Sequence, residues 1–228
     1  MGGSFFKVGI LGPSKIDFKD NYLKLRKLRK LRNRNLKPPG IQNKMAHHQH
    51  RKLVVLDLDA TLISAQSLDK YDKEANVKKS SKFEKSYQMD NVYQIFARPH
   101  LDIFLNYLFS NFRVGVWTAA SQLYALSVID NLILTKPSRK LEFIMFDYHN
   151  EDAMKRGRGT KDLDLLKSFY GMDLNDRDVI IIDDYDAVCK VNKRKSIKAR
   201  FFEYTKRGSE NDKFLLTLIP KLKKFKQK

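Results

Sequence analysis

Residues 53–62 constrain this chain more than any other segment. They begin with four apolar residues, a run that is too short for a helix and rich in branched side chains. Such a run is typical of a strand that is covered on both faces. Asp57, Asp59 and Thr61 follow it directly. In open α/β sheets, ligands bind beyond the carboxyl ends of the strands, so these two carboxylates could hold a divalent cation or attack an electrophile.

The alternative interpretation is that Asp59 or Thr61 caps the N-terminus of a helix and takes part in no chemistry. Two further strand-like runs argue against it. Residues 112–117 end at Thr118, ahead of a helical pattern, and a hydroxyl next to a helix N-terminus suits a phosphate oxygen. Residues 179–182 end in Asp183 and Asp184, and Lys161 opens another predicted helix between these two strands. Three polar strand ends and one lysine, in this order, favour a catalytic or metal site.

Five short motifs follow one another along the chain. They are Leu-Asp-Leu-Asp-Ala-Thr-Leu at 56–62, Arg-Pro-His-Leu-Asp-Ile-Phe-Leu at 98–105, Trp-Thr-Ala-Ala-Ser at 117–121, Lys-Asp-Leu at 161–163 and Ile-Ile-Asp-Asp at 181–184. This order resembles the FCP/SCP phosphatases of the haloacid dehalogenase superfamily, which dephosphorylate the C-terminal domain of RNA polymerase II. The resemblance covers residues 51–220. It implies a three-layer α/β fold with a central parallel sheet and a small β-structured insertion between the second and third motifs of the superfamily, those of Thr118 and Lys161.

The resemblance implies a catalytic role for four residues. Asp57 would be the nucleophile that takes the phosphoryl group. Asp59 would protonate the leaving oxygen and then activate water. Thr118 would donate to a phosphoryl oxygen, and Lys161 would neutralise charge on the transferring group and hold Asp57.

The resemblance also implies Mg²⁺ as the single cofactor. Its expected ligands are Asp57, the backbone carbonyl of Asp59, and Asp183, with Asp184 close by. Many family members have Asp-Asn-Ser-Pro where this chain has Asp-Asp-Tyr-Asp at 183–186, so the contribution of Asp184 is open.

Four further side chains are candidates to contact the substrate phosphate: Arg98, Ser121, Arg156 and Arg158. The small polymerase phosphatases carry an arginine in the inserted segment, where this chain has Asp147. Arg156 and Arg158 are the expected substitutes from the same loop. The alternative is that they belong to a mobile, solvated turn between glycines.

The chain is expected to contain a basic N-terminal extension and linker, residues 1–50, and one catalytic domain, residues 51–228. The domain would carry insertions at about 66–97 and 131–160. We expect Phe83 and Tyr87 to anchor the first insertion, and residues 142–149 to form a strand in the second. A basic C-terminal segment, 196–228, would begin with a strand over 197–204 and end in a helix that Pro220 kinks or shortens.

The charge is unevenly distributed. Residues 1–52 carry 14 Lys and Arg against 2 Asp, and residues 190–228 carry 14 against 3 acidic residues, whereas the whole chain is +19. The segment between is therefore mildly acidic. Such basic flanks predict a polyanionic partner, either nucleic acid, an acidic phosphoprotein or an anionic membrane surface. Residues 22–34 fit a basic helix or a nuclear-import signal, with a solvated arm as the alternative.

Competing chemistries fail on composition. Cys189 is the only cysteine, which excludes an internal disulfide and favours a reducing compartment, the nucleus or the cytoplasm. No apolar stretch of about 18 residues predicts a membrane span. The sequence therefore predicts a Mg²⁺-dependent phosphatase for phosphoserine or phosphothreonine in proteins, with the RNA polymerase II C-terminal domain as a possible partner. A nucleic-acid end phosphatase and a catalytically weak phosphate-binding scaffold remain the alternatives.

Overall fold

The computed structural model describes residues 51–69 and 79–227, and the predicted N-terminal extension lies outside them. The strands are β1 (Leu53–Leu56), β2 (Ile63–Ser67), β3 (Ser86–Met89), β4 (Tyr93–Ala97), β5 (Arg113–Trp117), β6 (Ile144–Met145), β7 (Val179–Asp183) and β8 (Ser196–Lys198). The helices are α1 (Leu101–Asn111), α2 (Gln122–Val128), a π-helical turn (Ile129–Ile133), α3 (Asp147–Lys155), α4 (Leu165–Tyr170), α5 (Asp186–Val191), a 3₁₀ turn (Ser209–Asn211) and α6 (Phe214–Gln227).

The central sheet is parallel and has the strand order β6-β5-β1-β7-β8. Its middle strand, β1, is buried on both faces because alternate residues enter two separate cores. Val54 and Leu56 pack on the side of α1, α2 and α6, whereas Leu53 and Val55 pack on the side of α4 and α5. The predicted α/β fold with a central parallel sheet is confirmed, and its helices form the two outer layers.

A smaller antiparallel sheet has the order β2-β4-β3, with β3 and β4 in the first insertion and β2 leading into it. The prediction placed the small β-structured element in the second insertion, after Thr118, and that position was wrong. The polar, lysine-rich composition of the first insertion hid its strands. Their signal is the alternation in β3, where Ser86 and Gln88 are exposed while Tyr87 and Met89 are half-buried. The predicted anchor Phe83 is buried against Phe96, Phe202 and Tyr204.

The second insertion contributes only a two-residue strand, β6, to the edge of the central sheet. The strand predicted over 142–149 stops there because α3 begins at Asp147. The N–H of Phe146 donates to Nδ1 of His149 at 2.9 Å, which caps the start of the helix and ends the extended chain.

The C-terminal segment also differs from its prediction. β8 spans three residues instead of the eight expected, and α6 continues for seven residues beyond Pro220. A proline inside a helix costs one backbone hydrogen bond, about 3 kcal/mol. Burial of Leu215, Leu218 and Leu222 on the core offsets this cost, since each buried leucine contributes about 1.5–3 kcal/mol.

A buried ion pair fastens the start of α6 to the turn that follows β1. The guanidinium of Arg98 donates to both carboxylate oxygens of Asp212, at 2.9 and 3.0 Å. It also donates to the carbonyls of Thr61, at 2.9 Å, and Arg200, at 2.8 Å. Asp212 in turn accepts the N–H of Phe214 and so caps α6. The pair therefore joins three segments that are distant in sequence.

The Arg98–Asp212 pair leads to a prediction about stability. Asp212→Asn keeps the side-chain volume but leaves Arg98 buried without a counter-charge, so we expect the free energy of unfolding at neutral pH to fall by about 3 kcal/mol. Burial raises the pKa of the Asp212 carboxyl, but hydrogen bonds from Arg98 and Phe214 and the nearby arginine charges lower it to below its ordinary value. The ionised carboxylate thus stabilises the fold above about pH 4, and this contribution disappears as the pH falls through the lowered pKa.

Urea unfolding of both proteins at neutral and acid pH measures this difference. The matched control is Asp173→Asn, because Asp173 is 81% exposed and pairs with an exposed lysine, Lys167. The control should lie within about 0.5 kcal/mol of wild type. Equal losses in the two variants would contradict a structural role for the Arg98–Asp212 pair.

Candidate active site

Parallel strands bring the predicted site residues to one edge of the central sheet. β1 is in register with both β5 and β7, so the residues that follow these strands begin at the same level. The N–H of Asp57 donates to the carbonyl of Ile182 at 3.0 Å, which sets Asp57 beside Asp183. Thr118 follows β5 at the same edge. Strand β2, not a helix, follows Thr61, so the helix-cap alternative was wrong.

Lys161 connects two of the strand ends. Its ammonium lies 2.6 Å from Oδ1 of Asp57 and 2.6 Å from Oδ2 of Asp183. The side chains of all three residues are at most 7% exposed. Burying a charge without a partner is costly, so the lysine and the two carboxylates hold one another in place. Burial alone would lower the pKa of Lys161, but these two carboxylates raise it above its ordinary value, and the lysine is charged.

The loop that carries Lys161 is itself held by a buried amide. The Lys161 backbone has a φ of 52°, in the left-handed region that a side chain disfavours. Asn192 stabilises this conformation, because its Nδ2 donates to the carbonyl of Lys161 at 2.9 Å and its Oδ1 accepts the N–H of Leu163 at 3.1 Å. The sequence analysis gave Asn192 no role.

Negative charge exceeds positive charge at this edge of the sheet. The pKa of the Asp57 carboxyl is raised to about 7. Burial is the main cause of this raised pKa, the charges of Asp183 and Asp59 add to it, and Lys161 acts in the opposite direction. Burial and the charge of Asp183 also raise the pKa of Asp184. An added cation would lower both pKa values, since it favours the ionised carboxylates.

Three of the carboxylates are spaced so that one metal ion could bind them. One oxygen each of Asp57, Asp183 and Asp184 lies within 4.8 Å of the other two. Carboxylate oxygens are the ligands that Mg²⁺ prefers, and the excess negative charge favours a divalent ion. The residues present therefore fit the predicted cofactor. Coordination by the backbone carbonyl of Asp59 stays a prediction.

A tight turn sets the position of Asp59. The carbonyl of Leu58 accepts the N–H groups of Leu62 and Ile63, at 2.8 and 3.1 Å, and Ala60 has a φ of 57°. The hydroxyl of Tyr124, on α2, donates to Oδ1 of Asp59 at 2.6 Å. Burial raises the pKa of Asp59, while this hydrogen bond lowers it.

Tyr124 is the residue at the candidate site that sequence reasoning missed. It lies in the helical pattern after Thr118, where an aromatic residue is expected to pack in the core. Its ring does pack edge-on against Tyr93 of β4, with centroids 5.5 Å apart. The only sequence signal is a hydroxyl within an apolar pattern, and the partner of that hydroxyl is 65 residues away.

Thr118 lies at the site, whereas Ser121 lies at its margin. The N–H of Thr118 donates to the carbonyl of Met145 at 3.0 Å, and its Oγ1 accepts the N–H of Ala120 at 3.1 Å. Among residues 51–69 and 79–227, no group accepts the Thr118 hydroxyl hydrogen, which leaves it for a ligand. Ser121 is exposed and precedes the first residue of α2.

The three candidate arginines lie in different surroundings. Arg98 is 1% exposed and bonded to Asp212, so we assign it a structural role in place of a contact with substrate phosphate. Arg156 and Arg158 are exposed, as a solvated turn predicts. Arg156 pairs with Asp152 at 2.8 Å, and Arg158 pairs with Asp162 at 2.7 Å. Any contact of these two arginines with a phosphate stays a prediction.

Comparison with known proteins identifies the family. Residues 52–228 match the family model of the NLI interacting factor-like phosphatases. The chain is also 38% identical over 183 residues to the CTD phosphatase-like protein 355R of Invertebrate iridescent virus 3, an alignment that covers 77% of this chain and 97% of that protein. The chain belongs to the NLI interacting factor-like phosphatase family. The predicted resemblance to FCP/SCP phosphatases is thereby confirmed, and hydrolysis of phosphate esters is the reaction class of this family.

Two further proteins are similar to this chain at lower identity. The 355R protein of Invertebrate iridescent virus 6 is 34% identical over 172 residues, which cover 73% of this chain and 94% of that protein. The solved structure of fission yeast RNA polymerase II CTD phosphatase Fcp1 bound to beryllium fluoride is 16% identical, with a TM-score of 0.49. That alignment covers 92% of this chain and 54% of the yeast chain, so the present chain spans about half its length.

The carboxylate cluster leads to a prediction about metal binding. We expect Mg²⁺ to raise the Tm of the wild-type protein, because the ion binds the assembled carboxylates and not the unfolded chain. Asp183→Asn removes a charged ligand, so the same rise in Tm should require at least about tenfold more Mg²⁺. Asp184→Asn restores the commoner family residue and keeps an oxygen ligand, and should respond nearly as wild type does.

Thermal unfolding across a Mg²⁺ titration provides the measurement. Asp186→Asn is the matched control, because Asp186 is only three residues from Asp183 but is 77% exposed and pairs with Lys198. The control should respond as wild type does. An unchanged Mg²⁺ response in Asp183→Asn would rule out this cluster as the metal site.

Proposed function

We propose that this protein is a Mg²⁺-dependent phosphatase that forms an aspartyl phosphate on Asp57 and acts on phosphoserine or phosphothreonine in a protein. The observation that carries the proposal is the contact of Lys161 with both Asp57 and Asp183, at 2.6 Å each. This contact fixes a carboxylate nucleophile at the strand end and supplies positive charge where a phosphoryl group would arrive.

The proposed reaction has two steps. In the first, an oxygen of Asp57 forms a bond to phosphorus, the bond from phosphorus to the leaving oxygen breaks, and Asp59 gives that oxygen a proton. In the second, Asp59 takes a proton from water, the water oxygen bonds to phosphorus, and the Asp57 carboxylate is released. Lys161 and the Thr118 hydroxyl stabilise the phosphoryl oxygens in both steps.

Mg²⁺ bound by Asp57, Asp183 and Asp184 would neutralise charge on the phosphoryl group. The elevated pKa of Asp57 supports a cation there, because the nucleophile must be ionised. The complete set of Asp57, Asp59, Thr118, Lys161 and Asp183 argues against a catalytically inactive scaffold.

The names of the viral relatives support a protein substrate, and the basic flanks make a nucleic-acid end the second candidate. A side-by-side assay tests the choice: phosphoserine and phosphothreonine peptides against 5′- and 3′-phosphorylated oligonucleotides, each with and without Mg²⁺. We expect turnover of the peptides, dependent on Mg²⁺. Preferential release of phosphate from oligonucleotide ends would establish the second candidate, and full activity after chelation would contradict the mechanism.

We also propose that residues 1–50 form an extension outside the catalytic domain, 51–228, which binds a polyanion and directs the protein to the nucleus. The charge of residues 1–52, 14 Lys and Arg against 2 Asp, supports this proposal. Within residues 51–69 and 79–227, no helix combines the length and the apolar character needed to cross a membrane.

Two substitutions at the first strand end test the proposed roles. Asp57→Asn should abolish turnover of every aryl phosphate, because the amide cannot act as the nucleophile. Asp59→Asn should slow hydrolysis of phenyl phosphate by about a hundredfold or more, since its leaving group needs a proton. Nitrophenyl phosphate, whose leaving group needs little protonation, should be affected much less. Steady-state kinetics on both esters measure the contrast, and near wild-type turnover in Asp57→Asn protein is the result that would refute the mechanism.

Tyr124 is expected to position Asp59. Tyr124→Phe removes the hydrogen bond but keeps the ring on Tyr93, so kcat for phenyl phosphate should fall about tenfold with little change in Tm. Nitrophenyl phosphate should again be less affected. The control is Tyr93→Phe, which removes the hydroxyl of the partner ring and should leave kcat unchanged. If both esters lose activity equally in Tyr124→Phe, the hydroxyl does not act through Asp59.

A further inference from the structure

The chain after β8 runs along the edge of the candidate active site. The N–H of Ala199 donates to the carbonyl of Asp183 at 2.8 Å, and the N–H of Phe202 donates to the carbonyl of Ala60 at 2.8 Å. Ala199 and Phe202 are buried, whereas the two residues between them, Arg200 and Phe201, are exposed. The backbone bonds therefore hold these two side chains in solvent next to the turn that carries the site.

Exposed cations extend from this segment in both directions. Residues 190–207 contain eight Lys and Arg and one Glu, a net charge of +7. Lys198 pairs with Asp186 at 2.8 Å, and Lys206 pairs with Glu203 at 3.6 Å. Both pairs lie on the surface, where ion pairs contribute little. Among the described residues, nothing pairs with the side chains of three further exposed cations: Lys193, Arg194 and Arg207. This concentration of charge lies within the described residues, in a different part of the sequence from residues 1–50.

Two large aromatic side chains accompany the cations. Tyr185, which follows the carboxylate pair at the end of β7, is 61% exposed, and Phe201 is 53% exposed. The ammonium of Lys206 lies 4.8 Å from the centre of the Phe201 ring. We name Tyr185, Lys198, Arg200, Phe201 and Lys206 the aromatic-basic rim. Exposure of an aromatic ring to water is unfavourable, and an exposed ring beside a cation, as Phe201 is, is typical of surfaces on which bases stack.

We propose that the aromatic-basic rim binds single-stranded nucleic acid, with phosphates against its lysines and arginine and bases stacked on Phe201 and Tyr185. An acidic peptide would use the cations but has no need of the rings. A duplex keeps its bases stacked inside and could not use the rings either. The inference concerns binding and not turnover, so it stands whether or not the proposed phosphatase function holds.

The charge contribution is tested by fluorescence anisotropy of the 228-residue chain with a labelled 20-residue thymidine oligonucleotide across a salt series. The double variant Arg200→Gln, Lys206→Gln should lower the slope of log affinity against log salt by about 1.4, because each phosphate contact on a single strand contributes about 0.7. The matched control, Lys223→Gln with Lys224→Gln on α6, removes the same charge from another exposed surface. Since the extension is intact in both, its contribution is constant, and the control should keep the wild-type slope.

The stacking contribution is tested with an abasic oligonucleotide of the same length, which keeps the phosphates but lacks the bases. Wild type should bind the thymidine strand more tightly than the abasic strand. Phe201→Ala should weaken thymidine binding about fivefold or more and leave abasic binding unchanged. Phe201→Leu, which keeps an apolar side chain without a ring, should behave in the same way, and so guards against a folding defect. Tyr170→Ala removes an aromatic that is 41% exposed at the end of α4, and should change neither affinity.

Three outcomes would overturn the proposal. The first is equal affinity of wild type for thymidine and abasic strands. The second is equal loss of salt slope in the rim variant and the α6 control. The third is displacement of the oligonucleotide by polyglutamate as effectively as by unlabelled oligonucleotide of equal charge, which would make the rim a general surface for acidic proteins.

Discussion

The site depends on one interaction, the contact of the Lys161 ammonium with the carboxylates of Asp57 and Asp183. Buried charges persist only where partners satisfy them, and these three residues come from separate segments that the central sheet must align. A shift of β7 by one residue relative to β1 would move Asp183 to the other face of the sheet and leave the lysine with one partner. The register of the strands and the pairing of the buried charges therefore favour the same alignment of β1 and β7. The left-handed backbone conformation of Lys161 is unfavourable in free energy, and the hydrogen bond from Asn192 stabilises it.

A second buried pair, Arg98 with Asp212, has a different function in the architecture. It touches the turn after β1, the segment after β8 and the start of α6 through one guanidinium. The C-terminal segment is consequently held against the turn that carries the candidate site and is not an appended tail. The position of the aromatic-basic rim follows from this attachment, because the backbone carbonyl of Arg200 accepts a hydrogen bond from Arg98 while the Arg200 side chain remains in solvent.

The two insertions contribute unequally to the surroundings of the site. The first forms a sheet of its own, and Tyr93 at its hairpin packs on Tyr124, the residue that holds Asp59. The second adds β6 and α3 to the main domain, and the N–H of Asp147 bonds to the carbonyl of Ala120. The first insertion thus contacts, through Tyr93 and Tyr124, the residue that would be the acid of the proposed reaction.

The sequence by itself determined the central strands, the order of the polar strand ends and the family, because strand periodicity and motif spacing are local properties. It also identified Asp57, Asp183, Asp184 and Lys161, which the structure brings together. Only the tertiary structure decided what Tyr124 and Arg98 contact, since their partners are 65 and 114 residues away. It likewise decided which insertion forms the small sheet and how far α6 continues past Pro220. In both cases, packing against distant residues outweighed local composition, and a local pattern carries no information about such partners.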